Sequence, residues 1–337
     1  YRDPVRSSHT HVVKASGLRW LGCMLLTPIA WANRVWALPC LTVLCPSERF
    51  YAQRGRGHQP MLERSWQIIQ LVRRWLPRRE VVFVADSSFA ALEWLALVAQ
   101  LPRVSVITRL RLDAALYNPP PQRAPRTKGR PRLKGKRRPT LETVLVDEKT
   151  QWCTLTLDDW YGEGPREVEV ATDTAVWYHA GKPPVAIRWG LIRDPQGRFK
   201  PQALLSTNLE QTSEQMLAWF VRRWTMEVTF EDARAHLGME TQRQWNDQAI
   251  ARATPALLSL YSIITLTAHL LIDTGATCVR SAAWYDKTRP TFSDAIALVR
   301  RHLWEHIHFS ISPQETDMIK VPRALLERFT EALCYAA

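Results

Sequence analysis

Apolar and β-branched residues dominate positions 9–46, with Gly17, Pro28, Asn33 and Pro39 as interruptions, a pattern that predicts two or three strands joined by turns. Leu62, Trp66, Ile69, Val72 and Leu76 then recur at three and four residues, predicting a helix with one apolar stripe that Pro77 stops. Residues 81–85 form an unbroken apolar run, as expected of a strand covered on both faces, and Asp86 stands at its carboxyl end. Ser87 and Ser88 can cap a helix over 89–100 with Leu92, Leu95 and Val98 inward, and 104–110 predicts the next strand. The unit is strand, helix, strand.

The pattern changes after Tyr117. Pro119, Pro120 and Pro121 lead into a run over 123–138 with nine basic residues and no carboxylate: Arg123, Arg126, Lys128, Arg130, Arg132, Lys134, Lys136, Arg137 and Arg138. Such a run is a solvated loop or arm. Short alternating stretches at 143–146, 152–157, 168–172, 176–179 and 185–193 predict a β-rich insertion. Helices return from Ser213 and continue to the end, punctuated by Pro290 and by a turn at 310–313. Residues 253–272 are twenty uncharged positions, long enough for a membrane span. Pro255, Ser259, Tyr261, Ser262, Thr265, Thr267 and His269 favour a core helix instead.

Composition sharpens this picture. With 337 residues and 46% hydrophobic content the chain can bury a substantial core, which excludes a disordered tail or a mini-protein. The 45 Lys and Arg against 32 Asp and Glu leave +13, a balance suited to a polyanion, and the 123–138 run carries nine of those charges. Cys23, Cys40, Cys45, Cys153, Cys278 and Cys334 form no C-x-x-C pair, so neither a disulfide framework nor a cysteine zinc site is implied, and a reducing cytoplasm is expected.

Two places carry candidate chemistry. Between Glu214 and Leu237, the residues Phe220, Arg223, Glu227, Phe230 and Arg234 are spaced three, four, three and four apart, which on one continuous helix puts them on a single face. The plain account is a surface pair of Arg223 with Glu227, worth about 0.3–0.5 kcal/mol at this spacing. Arg before Glu is the weaker order, and Glu231 repels Glu227. For Asp86 the plain account is a helix cap. The functional one is that ligands of open α/β sheets gather beyond the carboxyl ends of strands.

The run Val82-Phe-Val-Ala-Asp86-Ser-Ser-Phe89, together with Phe220-Val-Arg-Arg223-Trp-Thr-Met-Glu227 and Arg234, resembles the DDE transposases of bacterial insertion sequences. In that family a strand ends in the second catalytic Asp, and a helix carries Tyr, then Arg, the catalytic Glu and Lys. This chain departs with Phe220 for Tyr and Arg234 for Lys. The resemblance implies a ribonuclease-H-like α/β core, a mixed sheet flanked by helices, with the first part in 1–115, a β-rich insertion over 116–205, the helix bearing the Glu within 206–245, and helices over 246–337. It implies Asp86 and Glu227 as ligands of a two-metal Mg²⁺ or Mn²⁺ site. Arg223 and Arg234 would orient the carboxylate or grip phosphate. Double-stranded DNA (inverted-repeat ends and target), a homodimer, no membrane, and a bacterial cytoplasmic, nucleoid-associated location follow as expectations.

The family uses a third carboxylate on the opening strand, expected upstream of Tyr1. Asp3 precedes Pro4 and is a turn residue. The chain, which opens without Met or leader, is therefore expected to be an N-terminally truncated copy that lacks the first core strand and does not cleave DNA by itself. A catalytically dead DNA-binding derivative or inhibitor is the alternative. Within the basic run, Lys128-Gly-Arg-Pro-Arg132 resembles an AT-hook core, against the plainer account of a linker touching phosphates without reading sequence. His302, Glu305 and His306 match the inverted zinc-peptidase pattern H-x-x-E-H, which an amphipathic helix with exposed imidazoles also explains.

Overall fold

The computed structural model describes residues 11, 13, 17–122, 129, 131–276, 287, 289–306 and 320–336. In chain order the elements are β1 (Trp20–Ile29), β2 (Arg34–Leu44), α1 (Glu48–Ala52), α2 (Met61–Trp75), β3 (Val81–Val84), α3 (Leu92–Val98), β4 (Val104–Leu110), β5 (Leu116–Tyr117), α4 (Leu141–Val146), β6 (Cys153–Leu157), β7 (Arg166–Trp177), β8 (Val185–Arg193), β9 (Gln202–Ser206), α5 (Ser213–Arg222), α6 (Thr225–Leu237), α7 (Asp247–Asp273), α8 (Phe292–His306) and α9 (Arg323–Cys334). They form two compact units, Gln59–Trp224 and the described residues on either side of it.

The Gln59–Trp224 unit is built on a seven-stranded sheet ordered β3-β4-β9-β8-β7-β5, with β6 also paired to β7. Only β3 and β4 run parallel; the other pairings are antiparallel. Side chains alternate across a strand, so consecutive apolar residues serve opposite faces. Val106, Leu191 and Leu205 enter one core with Leu95, Val98 and Ile69 of the α2 and α3 layer. Their neighbours Ile107, Ile192 and Leu204 enter another with Met216, Leu217 and Phe220 of α5. This mixed α/β architecture, with helices on both sheet faces, is consistent with a ribonuclease-H-like fold. The strands of the 116–205 segment continue the sheet that β3 and β4 begin.

In the other unit, β1 and β2 form an antiparallel hairpin, turned by a short helical segment and Asn33 in the left-handed region at φ 47°, which Asn tolerates. A two-stranded sheet is marginal alone. Here it is held by helices: Trp36 and Leu38 pack with Tyr261, Ile264, Phe292 and Ile296 of α7 and α8, and the Tyr261 and Phe292 rings stack at 3.9 Å. Helix α7 is long and apolar enough to cross a membrane. Its core reading holds for one face, with Leu258, Tyr261 and Ala268 buried, while Leu260, Ile263, Leu266 and Leu270 are exposed.

Four local readings change. Residues 143–146 belong to helix α4, not a strand, because the Thr140 hydroxyl accepts from Thr143 N–H (3.3 Å) and caps the turn. The runs 168–172 and 176–179 merge into one strand, β7, which ends at Trp177 and pairs with β6 over 166–170 and with β5 at Val176 and Trp177. Strand β9 is a central strand that the alternation did not announce. The continuous helix expected across 214–237 is broken: α5 ends at Arg222, Arg223 and Trp224 form a turn, and α6 starts at Thr225.

The start of α8 carries the most committed buried carboxylate. Asp294, with its side chain fully buried, accepts from Thr291 N–H (2.7 Å), from Tyr335 Oη (3.0 Å) and from the Lys287 ammonium. Burial opposes its charge, but Lys287 and the Thr291 N–H outweigh that and hold its carboxyl below the usual range. Removing one partner of such a pair leaves a buried charge behind, so Asp294→Ala is expected to lower unfolding free energy by about 3–5 kcal/mol in denaturant titration. Because the folded-state value is depressed, this contribution is present above the unfolded-state value near pH 4 and fades as pH falls further; the gap between variant and wild type should close there.

Candidate catalytic site

Asp86 leaves the sheet beyond β3. Ala85 N–H still bonds Ile107 O (2.9 Å), and the fully buried Thr108 hydroxyl donates to Asp86 O (2.5 Å), so the backbone at Asp86 is pinned to β4. Its Oδ1 accepts from Ser88 N (2.8 Å) and Ser88 Oγ (2.5 Å), capping the turn Ser87–Phe89. The cap is thus real. It is made with one oxygen of an exposed carboxylate, and Oδ2 makes no hydrogen bond among the described residues.

The parallel register brings cations to this end. Val84 is level with Ile107, so Asp86, two residues on, stands level with Arg109. The Arg109 and Arg223 guanidiniums approach the Phe220 ring at 5.6 Å and 5.5 Å. Phe220 is 1% exposed in the core beneath Val82 and Val84. A buried phenol at this position would need a hydrogen-bond partner; Phe offers the two guanidiniums a ring face and asks for none. Arg109 and Thr108 were not singled out from the sequence. The available signal was one charged residue at the end of the otherwise uncharged run 104–110.

Glu227 lies in the first turn of α6, a different helix from α5, which Arg223 caps. A carboxylate in a first turn complements the positive helix N-terminus, while Arg222 and the C-cap Arg223 suit the end of α5. The charges that the spacing places on one stripe therefore satisfy two helix ends. Helix α6 is fixed to the hairpin by Thr229, whose buried Oγ1 donates to Ala37 O (2.8 Å), and its Phe230 lies against Gly22. Those contacts turn Thr229 and Ala233 inward and leave Glu227 and Arg234 exposed. Arg234 pairs with Glu240 at 3.4 Å. Asp232, on the buried side, accepts from Tyr261 Oη (3.3 Å), and burial raises its carboxyl above the usual range.

Carboxylates are the hard oxygen donors that Mg²⁺ and Mn²⁺ take, so Asp86 and Glu227 fit such an ion in kind. Among the described residues no group of three His, Cys, Asp or Glu side chains gathers as a metal site. Of the zinc-peptidase pattern, His302 lies on α8, and the Glu305 and His306 side chains fall outside the described residues.

The described half of the basic run is anchored, not free. Asn118 N–H bonds Lys136 O (2.9 Å) and Arg138 N–H bonds Leu116 O (2.8 Å), adding this return segment to the edge of β5. Lys134 Nζ lies 3.7 Å and 4.2 Å from the Tyr117 and Tyr178 ring centres, and Arg138 is paired with Asp173. Arg132, Lys136 and Arg137 are also described, whereas Arg123, Arg126, Lys128 and Arg130 lie outside the described residues.

A search of curated proteins found no match. The family model of the DDE superfamily endonucleases matches residues 4–183, just over half of the 337-residue chain. The match takes in the β3–β4 unit with Asp86 and stops before Arg223, Glu227 and Arg234. With a mixed sheet covered by helices on both faces and an acidic residue at the carboxyl end of its parallel strand, this chain belongs to the DDE superfamily endonucleases.

Proposed function

We propose that the protein is a DDE transposase of the insertion-sequence type, acting on double-stranded DNA, with Asp86 and Glu227 as the carboxylates that hold a divalent metal. The observation that carries this reading is Asp86: an exposed carboxylate beyond a parallel strand, pinned through its own backbone to Thr108 of the neighbouring strand. When bound, two divalent ions activate the attacking oxygen and stabilise the leaving one in phosphodiester chemistry. The side chains have separable tasks. Ser88 fixes the Asp86 carboxylate through Oδ1 and leaves Oδ2 to coordinate. Arg109 and Arg223 present guanidiniums suited to bidentate phosphate contact beside it. Glu227 supplies the second carboxylate from α6, and Arg234 a further phosphate contact. By the same resemblance the working form is a dimer on inverted-repeat ends.

A second reading, a transposase-derived DNA-binding protein without cleavage, is favoured by the absence of a three-residue metal cluster among the described residues. Metal-dependent cleavage of a duplex by the purified chain excludes this second reading.

Binding of Mn²⁺, followed by water-proton relaxation, should weaken in both Asp86→Asn and Glu227→Gln by no less than the roughly tenfold that losing an outer-shell partner costs. Unchanged binding in either variant removes that residue from the site. For the basic run, Arg138 is committed to Asp173 and Lys134 to two tyrosines, leaving seven of the nine cations for phosphate. Neutralising those seven should make the log–log salt dependence of DNA binding shallower by about 6 units, against about 8 if all nine took part. Equal slopes in variant and wild type take the run out of the interface.

A further inference from the structure

Cys23 and Cys40 face each other across the β1–β2 hairpin at its one irregularity. Cys23 is level with Leu41 and Met24 with Pro39, so Cys40 is the extra residue of a β-bulge. In a bulge two residues of one strand oppose a single residue of the other, which brings the Cys40 side chain toward Cys23. The Cys40 thiol donates to Cys23 O (3.1 Å), which holds the Cys40 sulfur against the Cys23 residue across the bulge. Cys40 is exposed and Cys23 half-buried, so one sulfur of the pair is reachable from solvent.

We propose that Cys23 and Cys40 are a redox-active dithiol that a small-molecule disulfide such as oxidised glutathione converts to an intramolecular disulfide. Cys40 is the attacking sulfur. The neighbouring Cys23 thiol lowers its pKa to about 7, against burial, and the N–H groups of Leu41 and Cys40 assist. Cys23 is pushed the other way, chiefly by the neighbouring Cys40 and then by burial, and keeps its proton. The Cys40 thiolate attacks one sulfur of the glutathione disulfide, forming a mixed disulfide and expelling a glutathione thiolate, which takes up a proton. Cys23 then gives up its proton and attacks Cys40 Sγ, expelling the second glutathione. Two thiols are oxidised, the reagent's disulfide is reduced by two electrons to two thiols, and two protons go with it. The cross-link would close on the strand pair that carries α6, since Gly22 lies against Phe230 and Ala37 O accepts from Thr229.

The test uses the full 337-residue chain. At pH 7, brief iodoacetamide labelling read by mass spectrometry should alkylate Cys40 about three- to fivefold faster than Cys153, the other exposed cysteine among the described residues, after allowing for the lower nucleophilicity of a more acidic thiol. Treatment with oxidised glutathione should then link the tryptic peptides 20–34 and 35–49, and still do so in Cys45→Ala, which removes the other thiol of the second peptide. In Cys23→Ala the reaction should stop at a glutathione adduct on Cys40. Labelling of Cys40 no faster than of Cys153, or a stable Cys40 adduct in wild type with Cys23 still free, overturns the proposal. Both readouts are made on the wild-type chain and do not depend on a variant's folding.

Discussion

Burial of both faces of one sheet organises the Gln59–Trp224 unit. Consecutive residues of β4, β8 and β9 feed different cores, so a slip of one residue in any of these strands would exchange the two sets of side chains. Register is therefore strongly specified. The site inherits that precision, because the position of Asp86 follows from where β3 stops relative to β4, and Thr108 ties the two backbones together at that level. The carboxylate needs no support beyond its own cap. Its neighbours are supplied by the strand next door and by α5 packed beneath.

The turn at Arg223–Trp224 changes what the acidic and basic residues around it mean. On an unbroken helix, Arg223, Glu227 and Arg234 would be a stripe. In two helices, Arg222 and Arg223 close one element and Glu227 opens the next, each matching the dipole of its own helix end. Arg223 and Arg109 share the Phe220 ring, and the helix that Glu227 opens is fixed to the hairpin through Thr229. Asp86 and Glu227 thus belong to separately stabilised units, each with its own core.

The basic run shows a similar division of labour. Its return segment is hydrogen-bonded at the edge of β5 and held by cation–π and ion-pair contacts, so some of its charge is spent on structure. Net charge read from composition overstates what such a segment can offer a polyanion, because composition does not distinguish a cation facing solvent from one facing its own protein.

The chain by itself determined whatever depends on local repeats: the hairpin-forming start, the stripe of α2 ended by Pro77, the apolar run closing in Asp86, the strand after it, and the concentration of positive charge after Tyr117. These follow from backbone periods and from turn and breaker residues acting over a few positions. Tertiary structure decided what depends on partners far along the chain. Thr229 finds Ala37 across 192 residues and Arg138 finds Asp173 across 35, and neither pairing leaves a trace in spacing. The break between α5 and α6, the placement of β9 at the sheet centre and the bulge that turns Cys40 toward Cys23 have the same origin. Each is settled by which surfaces must be buried together, a condition that exists only once the strands have paired.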